Sequence, residues 1–246
     1  MKKRCVVAAL SALALFPLGL SANPIPLPVP ASMPLEQMQI AIGTDKHVKF
    51  TGDFTFDFIP ASVTKMLFPL PPVNASAIQV FEDGNPVPST MSSSVYPTVL
   101  PEYPLLSMFE WNGPFPEDGA VFRVDYEHDL FQRGSDWIFF YSLGTGKYFP
   151  TYEKITTAMF QIDLPSGATL ESVLLDDTPV DPRFYNLIGS RLDLKLTSEF
   201  GPFTQDLILV MRIPEPPSLG LLCAMLLAIG VMPGVRRLAL IRQRLD

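Results

Sequence analysis

The clearest pattern along the chain is an alternation of period two. In residues 48–58, Phe54, Phe56 and Phe58 fall on one side and Asp53, Thr55 and Asp57 on the other, which predicts a strand half-buried against a core. Apolar or alternating runs predict further strands at 65–70, 77–81, 120–131, 137–142, 154–164, 170–175, 191–197 and 204–212. Turn-forming clusters separate them, among them Glu82-Asp83-Gly84-Asn85-Pro86, Arg133-Gly134-Ser135-Asp136 and Pro165-Ser166-Gly167. Short strands with this punctuation predict an all-β fold, an antiparallel β-sandwich over residues 35–213. Residues 23–34 carry proline at nearly every second position and predict an extended arm or edge strand, because proline has no N–H to give a sheet interior.

An internal echo leaves two readings of that region open. Val80, Asp83, Pro86 and Val87 recur at a constant offset as Val173, Asp176, Pro179 and Val180. Two related lobes, 35–119 and 120–213, would explain the recurrence, and so would one type of hairpin turn used twice.

The two ends are patterned differently. Lys2, Lys3 and Arg4 precede an uncharged run to Leu20, the layout of a secretory signal peptide over residues 1–22, with cleavage expected after Ala22. At the other end Pro214-Glu215-Pro216 leads into an apolar run, 219–235, that predicts a transmembrane helix, followed by Arg236 and Arg237. Arginines beyond such a helix hold that end in the cytoplasm, which puts the β-rich region on the far side, as the signal peptide does. Residues 214–246 resemble the PEP-CTERM sorting signal, which combines a Pro-Glu-Pro motif, one apolar helix and a terminal arginine cluster. The resemblance implies an exosortase-like sorting protease as partner and transient anchoring in the inner membrane. It also implies a destination at the cell surface or in the extracellular matrix of a Gram-negative envelope. It is confined to the tail and implies nothing about what the β-rich region does.

Composition sharpens this picture. An apolar share of 48% over 246 residues fills a real core, and 26 prolines disfavour long helices. Seven of the 18 basic residues lie in the end segments, so residues 23–213 hold 11 bases against 23 acids, a net charge of -12. That balance excludes a nucleic-acid partner, which needs a basic stripe. Both cysteines, Cys5 and Cys223, also lie in the end segments, which excludes a thiol nucleophile or thiolate metal site from the β-rich region.

Candidate chemistry is sparse. Residues 143–147, Leu-Gly-Thr-Gly-Lys, lack the spacing of a phosphate loop and read as a hairpin turn. The histidines are His47 and His128. On a strand, Asp125, Glu127 and Asp129 would share one face and Tyr126 and His128 the other, so His128 needs a partner from elsewhere to act as base or metal ligand. Glu82-Asp83 and Asp176-Asp177 read as solvated turn acids rather than calcium ligands. Trp111, Trp137, Phe139, Phe140, Tyr141, Tyr148, Phe149 and Tyr152 read mainly as core, with 148–152 as the place to seek a sugar platform. The sequence therefore predicts an exported, non-enzymatic surface or matrix protein with structural or adhesive contacts, no cofactor and no metal. The alternative is a glycan-binding or glycan-modifying envelope protein whose partner is extracellular polysaccharide.

Overall fold

The computed structural model describes residues 24–27, 31–143, 156–198 and 203–215. Seventeen strands and one 3-10 turn (Pro182–Phe184) make up the regular structure of these residues, so the fold is all-β. The largest sheet has eight strands. Its order runs β15 (Tyr185–Ile188), β16 (Arg191–Thr197), β12 (Thr157–Asp163), β2 (Leu35–Ile42), β3 (His47–Phe56), β9 (Ala120–Asp129), β5 (Ser76–Glu82) and β6 (Asn85–Val87). A four-stranded sheet runs β1 (Ile25–Leu27), β4 (Lys65–Pro69), β8 (Leu105–Asn112) and β7 (Ser89–Pro97). A five-stranded sheet runs β10 (Phe131–Arg133), β11 (Asp136–Tyr141), β17 (Leu207–Arg212), β13 (Thr169–Leu175) and β14 (Thr178–Pro179). Neighbouring strands are antiparallel, except that β2 and β12 pair in parallel.

Alternation fixes which side of the large sheet is core. On β3, Val48, Phe50, Phe54 and Phe56 are buried, and on β9 so are Phe122, Val124 and Tyr126. Burying one such side chain contributes about 1.5–3 kcal/mol, so these strands hold the sheet in place through one face alone. Phe54 meets Phe68 of β4 edge-on at 5.7 Å, and Phe50 stacks on Tyr141 of β11 at 5.5 Å, so the inner face contacts both smaller sheets. Gly52 lies on this face between Phe50 and Phe54, where a Cβ would come within 2.8 Å of the Phe50 ring and 2.9 Å of the Phe54 ring.

The smaller sheets also meet each other. Leu67, Leu106 and Met108 from one and Ile138, Phe140 and Ile208 from the other form a single buried cluster. Phe68, Phe109, Phe139 and Leu209, on the opposite sides of the same strands, are buried as well. Strands covered on both sides carry unbroken apolar runs, which is why 137–141 shows no alternation.

The strands of the two candidate lobes do not segregate. β2 and β3, from 35–119, pair with β12 and β9, from 120–213, within the large sheet. The echoed motifs are two tight hairpins in different sheets, β5–β6 and β13–β14, each turning through an aspartate of positive φ, Asp83 at 48° and Asp176 at 52°. Asp83 Oδ1 accepts the Val121 amide and Asp176 Oδ1 the Asp206 amide, so both turn acids tie down backbone. Phe58 departs from its predicted face: β3 ends at Phe56, and Phe58 is exposed.

The chain divides into two compact units, Met1–Arg212 and Ile213–Asp246. The first holds all three sheets. In the second, Pro214 and Glu215 are exposed and outside regular structure. Ala22, Pro216, the run 219–235, Arg236 and Arg237 lie outside the described residues.

Candidate functional site

The outer face of the eight-stranded sheet is built by the residues that alternate with the core. Strand register sets them in rungs that cross the sheet. One rung joins Asn186 to Asp193, Gln161, Gln39, Thr51, Asp125 and Gln79, polar at every one of its seven strands. Below it, Lys195 is followed by Met159, Gln37, Asp53, Arg123 and Phe81. On the other side Ile188, Arg191, Asp163, Ala41, Lys49 and Glu127 make a third.

Hollows mark both flanks of this face. A groove of about 480 Å³ is lined by Gln37, Gln39, Met159, Gln161, Asn186 and Lys195, together with Arg183, Phe184 and Tyr185. Toward the other edge a hollow of about 420 Å³ is bordered by Asp53, Phe81, Asp83, Val121, Arg123 and Asp125. Phe184, half exposed at 50%, also lines a third hollow with Val180, Leu196 and Phe203.

Three cations of the face are tied to carboxylates, while Lys195 has no ion pair and Asp125 Oδ1 is buried without a hydrogen-bond partner among the described residues. Arg123 forks onto Asp53 at 2.8 and 3.1 Å, Arg191 meets Asp193 at 3.0 Å, and Lys49 reaches Glu127 at 3.5 Å. Its bond to Asp53 raises the Arg123 pKa. The amides of Gln37, Gln39, Gln161 and Asn186 make no side-chain hydrogen bond with any described residue, so their donors and acceptors face solvent.

The two histidines fall on opposite faces of neighbouring strands. His47 lies at the outer edge, with Nδ1 3.0 Å from Asp129 Oδ1 and Nε2 3.2 Å from Glu127 Oε2. Hydrogen bonds to Asp129 and then to Glu127 hold its pKa above the ordinary histidine value. Asp129 is lowered, first by the Asn74 amide that donates to it at 2.8 Å and then by His47, and Glu127 is lowered chiefly by His47. His128 points into the core between Tyr126 and Phe139, with ring centroids at 5.8 and 5.9 Å. Its Nδ1 lies 2.9 Å from the Asp129 carbonyl oxygen, Nε2 has no partner among the described residues, and burial pushes its pKa down to about 4. The carboxylates that neighbour it in sequence are on the other face, so the ring is a neutral core group.

The aromatic cluster divides as its burial requires. Trp111, Phe139, Phe140 and Tyr141 are core, while Trp137 is half-buried with Lys46 Nζ 5.3 Å above its ring. Residues 144–155, which include Tyr148, Phe149 and Tyr152, lie outside the described residues. None of Gln37, Gln39, Gln161 or Asn186 stands out in the sequence. The signal present for β2 was the alternation of Gln37, Gln39 and Ala41 with Met38, Ile40 and Ile42.

An all-β, sandwich-like domain with one polar face free is the class these observations define. No family model matches the chain, and no curated protein matches it. Among solved structures it is similar to a candidate nutrient binding protein of Legionella pneumophila. That likeness has a TM-score of 0.53 and 18% identity, over 79% of this chain and 71% of that one. It establishes a shared fold. The chain is also similar to yeast LTA4 hydrolase, with a TM-score of 0.42 and 9% identity over 76% of this chain and 29% of the enzyme. A zinc metallopeptidase of Deinococcus radiodurans gives a TM-score of 0.39 and 11% identity over 75% and 43%. The chain thus spans less than half of either enzyme, and these likenesses bear on neither activity nor substrate.

Proposed function

We propose that the chain is an exported envelope protein whose β-sandwich makes structural or adhesive contacts outside the cell without catalysing a reaction. A signal peptide cleaved after Ala22 starts its export. A PEP-CTERM-like tail with Pro214, Glu215 and Pro216, the inner-membrane helix 219–235 and the arginines Arg236 and Arg237 delivers it to an exosortase-like sorting protease. The product then resides at the cell surface or in the extracellular matrix.

One observation carries the reading: after the last strand and the buried Ile213 the chain enters an exposed, irregular Pro214-Glu215 step. Proline removes helix donors and disfavours helical backbone in the residue before it, so this step stays extended and open to a protease. The test is fractionation of the native protein in hosts with and without the exosortase, beside the variant Arg236→Glu with Arg237→Glu. The protein should leave the membrane fraction only where the enzyme and the arginines are both present. Equal release in all three strains would refute sorting by the tail.

A further inference from the structure

We infer that the outer face of the large sheet binds an extended, neutral polysaccharide laid across its strands, along the polar rung that runs through Gln161, Gln39 and Thr51. The inference rests on the reading of the domain as an extracellular contact module and names what that module holds.

Spacing is the first ground. Neighbouring strands lie about 4.7–4.9 Å apart, so the rung offers a polar side chain at that interval across seven strands. One hexose of an extended chain advances by a similar distance. Successive sugars would therefore meet equivalent positions on successive strands.

The chemistry of the side chains agrees. A sugar hydroxyl both donates and accepts, and a primary amide presents an NH₂ and a carbonyl side by side. Gln39, Gln161 and Asn186 supply such amides, none of them hydrogen-bonded through its side chain to a described residue. Met159 at 39% exposure and Phe184 at 50% add apolar surface beside them, which suits the C–H faces of pyranose rings.

Charge selects among polysaccharides. Arg123, Arg191 and Lys49 on this face are each engaged by a carboxylate. With a net charge of -12 over residues 23–213, a polyanion would be repelled by the domain as a whole and would find Lys195 as the one unpaired cation among the described residues of the groove, whereas a neutral chain meets no such barrier. The hollows of about 480 and 420 Å³ lie along the same rung toward its two ends and provide depth for a chain longer than one sugar.

The test is affinity electrophoresis of the full chain, purified in a zwitterionic detergent, through gels containing mixed-linkage β-glucan, glucomannan, arabinoxylan or polygalacturonate. At least one neutral polymer should retard the protein and polygalacturonate should not. Gln39→Ala with Gln161→Ala should weaken the interaction about tenfold or more, the equivalent of two lost hydrogen bonds, with an unchanged far-ultraviolet circular dichroism spectrum. Leu105→Ala, an exposed change on β8 in a different sheet, should leave it intact. If the double variant fails to fold, Gln39→Ala and Gln161→Ala are read singly. Retardation by none of the neutral polymers, retardation by polygalacturonate alone, or undiminished binding by the folded variants would overturn the inference. Fractionation reports separately on export, so the two readings can fail independently.

Discussion

The two faces of the large sheet are made by the same strands and do opposite things. On the inner face of β3 and β9, Phe50, Phe54, Phe122 and Tyr126 are buried against the smaller sheets. On the outer face, one residue along, Lys49, Thr51, Asp53, Arg123 and Asp125 meet water or each other. The difference places the buried apolar surface on one side of the sheet and leaves the other side polar. The histidines express the same division: core burial keeps His128 neutral, and carboxylates at the outer edge favour a charged His47.

Changes on the inner face should cost the most stability. Phe54→Ala removes a ring that contacts Phe68 and leaves a cavity between two sheets, so unfolding by urea should show a loss of about 3–5 kcal/mol. A loss below about 1 kcal/mol would mean that the inner face is not what holds the sheets together.

A smaller effect depends on pH. The folded pKa of His128, about 4, lies below its unfolded value near 6.5, so the unfolded chain binds the extra proton between these limits and stability falls as pH falls through that window. The part of the loss due to His128 should be on the order of 2 kcal/mol by pH 5, and His128→Phe should remove it. His47 acts with the opposite sign. Its folded pKa is raised, so its contribution is full below the unfolded value and is lost as pH rises through the folded one. The lowered pKa values of Asp129 and Glu127 contribute stability that is lost further into acid, from the ordinary carboxylate range downward. Urea midpoints of the wild type, His47→Gln and His128→Phe from pH 5 to 8 separate these slopes. Parallel curves for all three would contradict the assignment of the histidines to different faces.

The smallest effects belong to the outer face. Asp53→Asn breaks an exposed ion pair and should cost less than about 1 kcal/mol, and Gln39→Ala should stay within about 0.5 kcal/mol. Calorimetry checks both. A large loss from Gln39→Ala would mean that this face carries structure after all.

How much of this could be read from the chain follows from what alternation can report. β3 and β9 were legible because one face is aromatic and the other polar, and the same parity set His128 apart from Asp125, Glu127 and Asp129. β8 was not, because burial on both sides interrupts the pattern at Met108 and Phe109, nor was β7, whose run of serines gives little apolar signal. β2 alternates but carries the buried Glu36 on its inner face beside a proline-rich approach. The polar rung had no sequence signature beyond the alternation that puts Gln39 on the outer side of β2. It exists only once β2 pairs in parallel with β12, more than a hundred residues away, and register between distant strands leaves no local trace. The echoed Asp-x-x-Pro segments were visible as a repeat, while their use as two separate hairpins depends on which sheet each joins.

Delivery of this two-faced domain to the outside of the cell by its two ends, as proposed, requires that both ends be processed. Intact-mass spectrometry of the mature protein from its native cell tests that most directly. The expected mature chain starts near Asn23 and ends between Pro214 and Pro216, without Cys5, Cys223, Arg236 or Arg237. A mature protein that keeps both Met1 and Asp246 would contradict it.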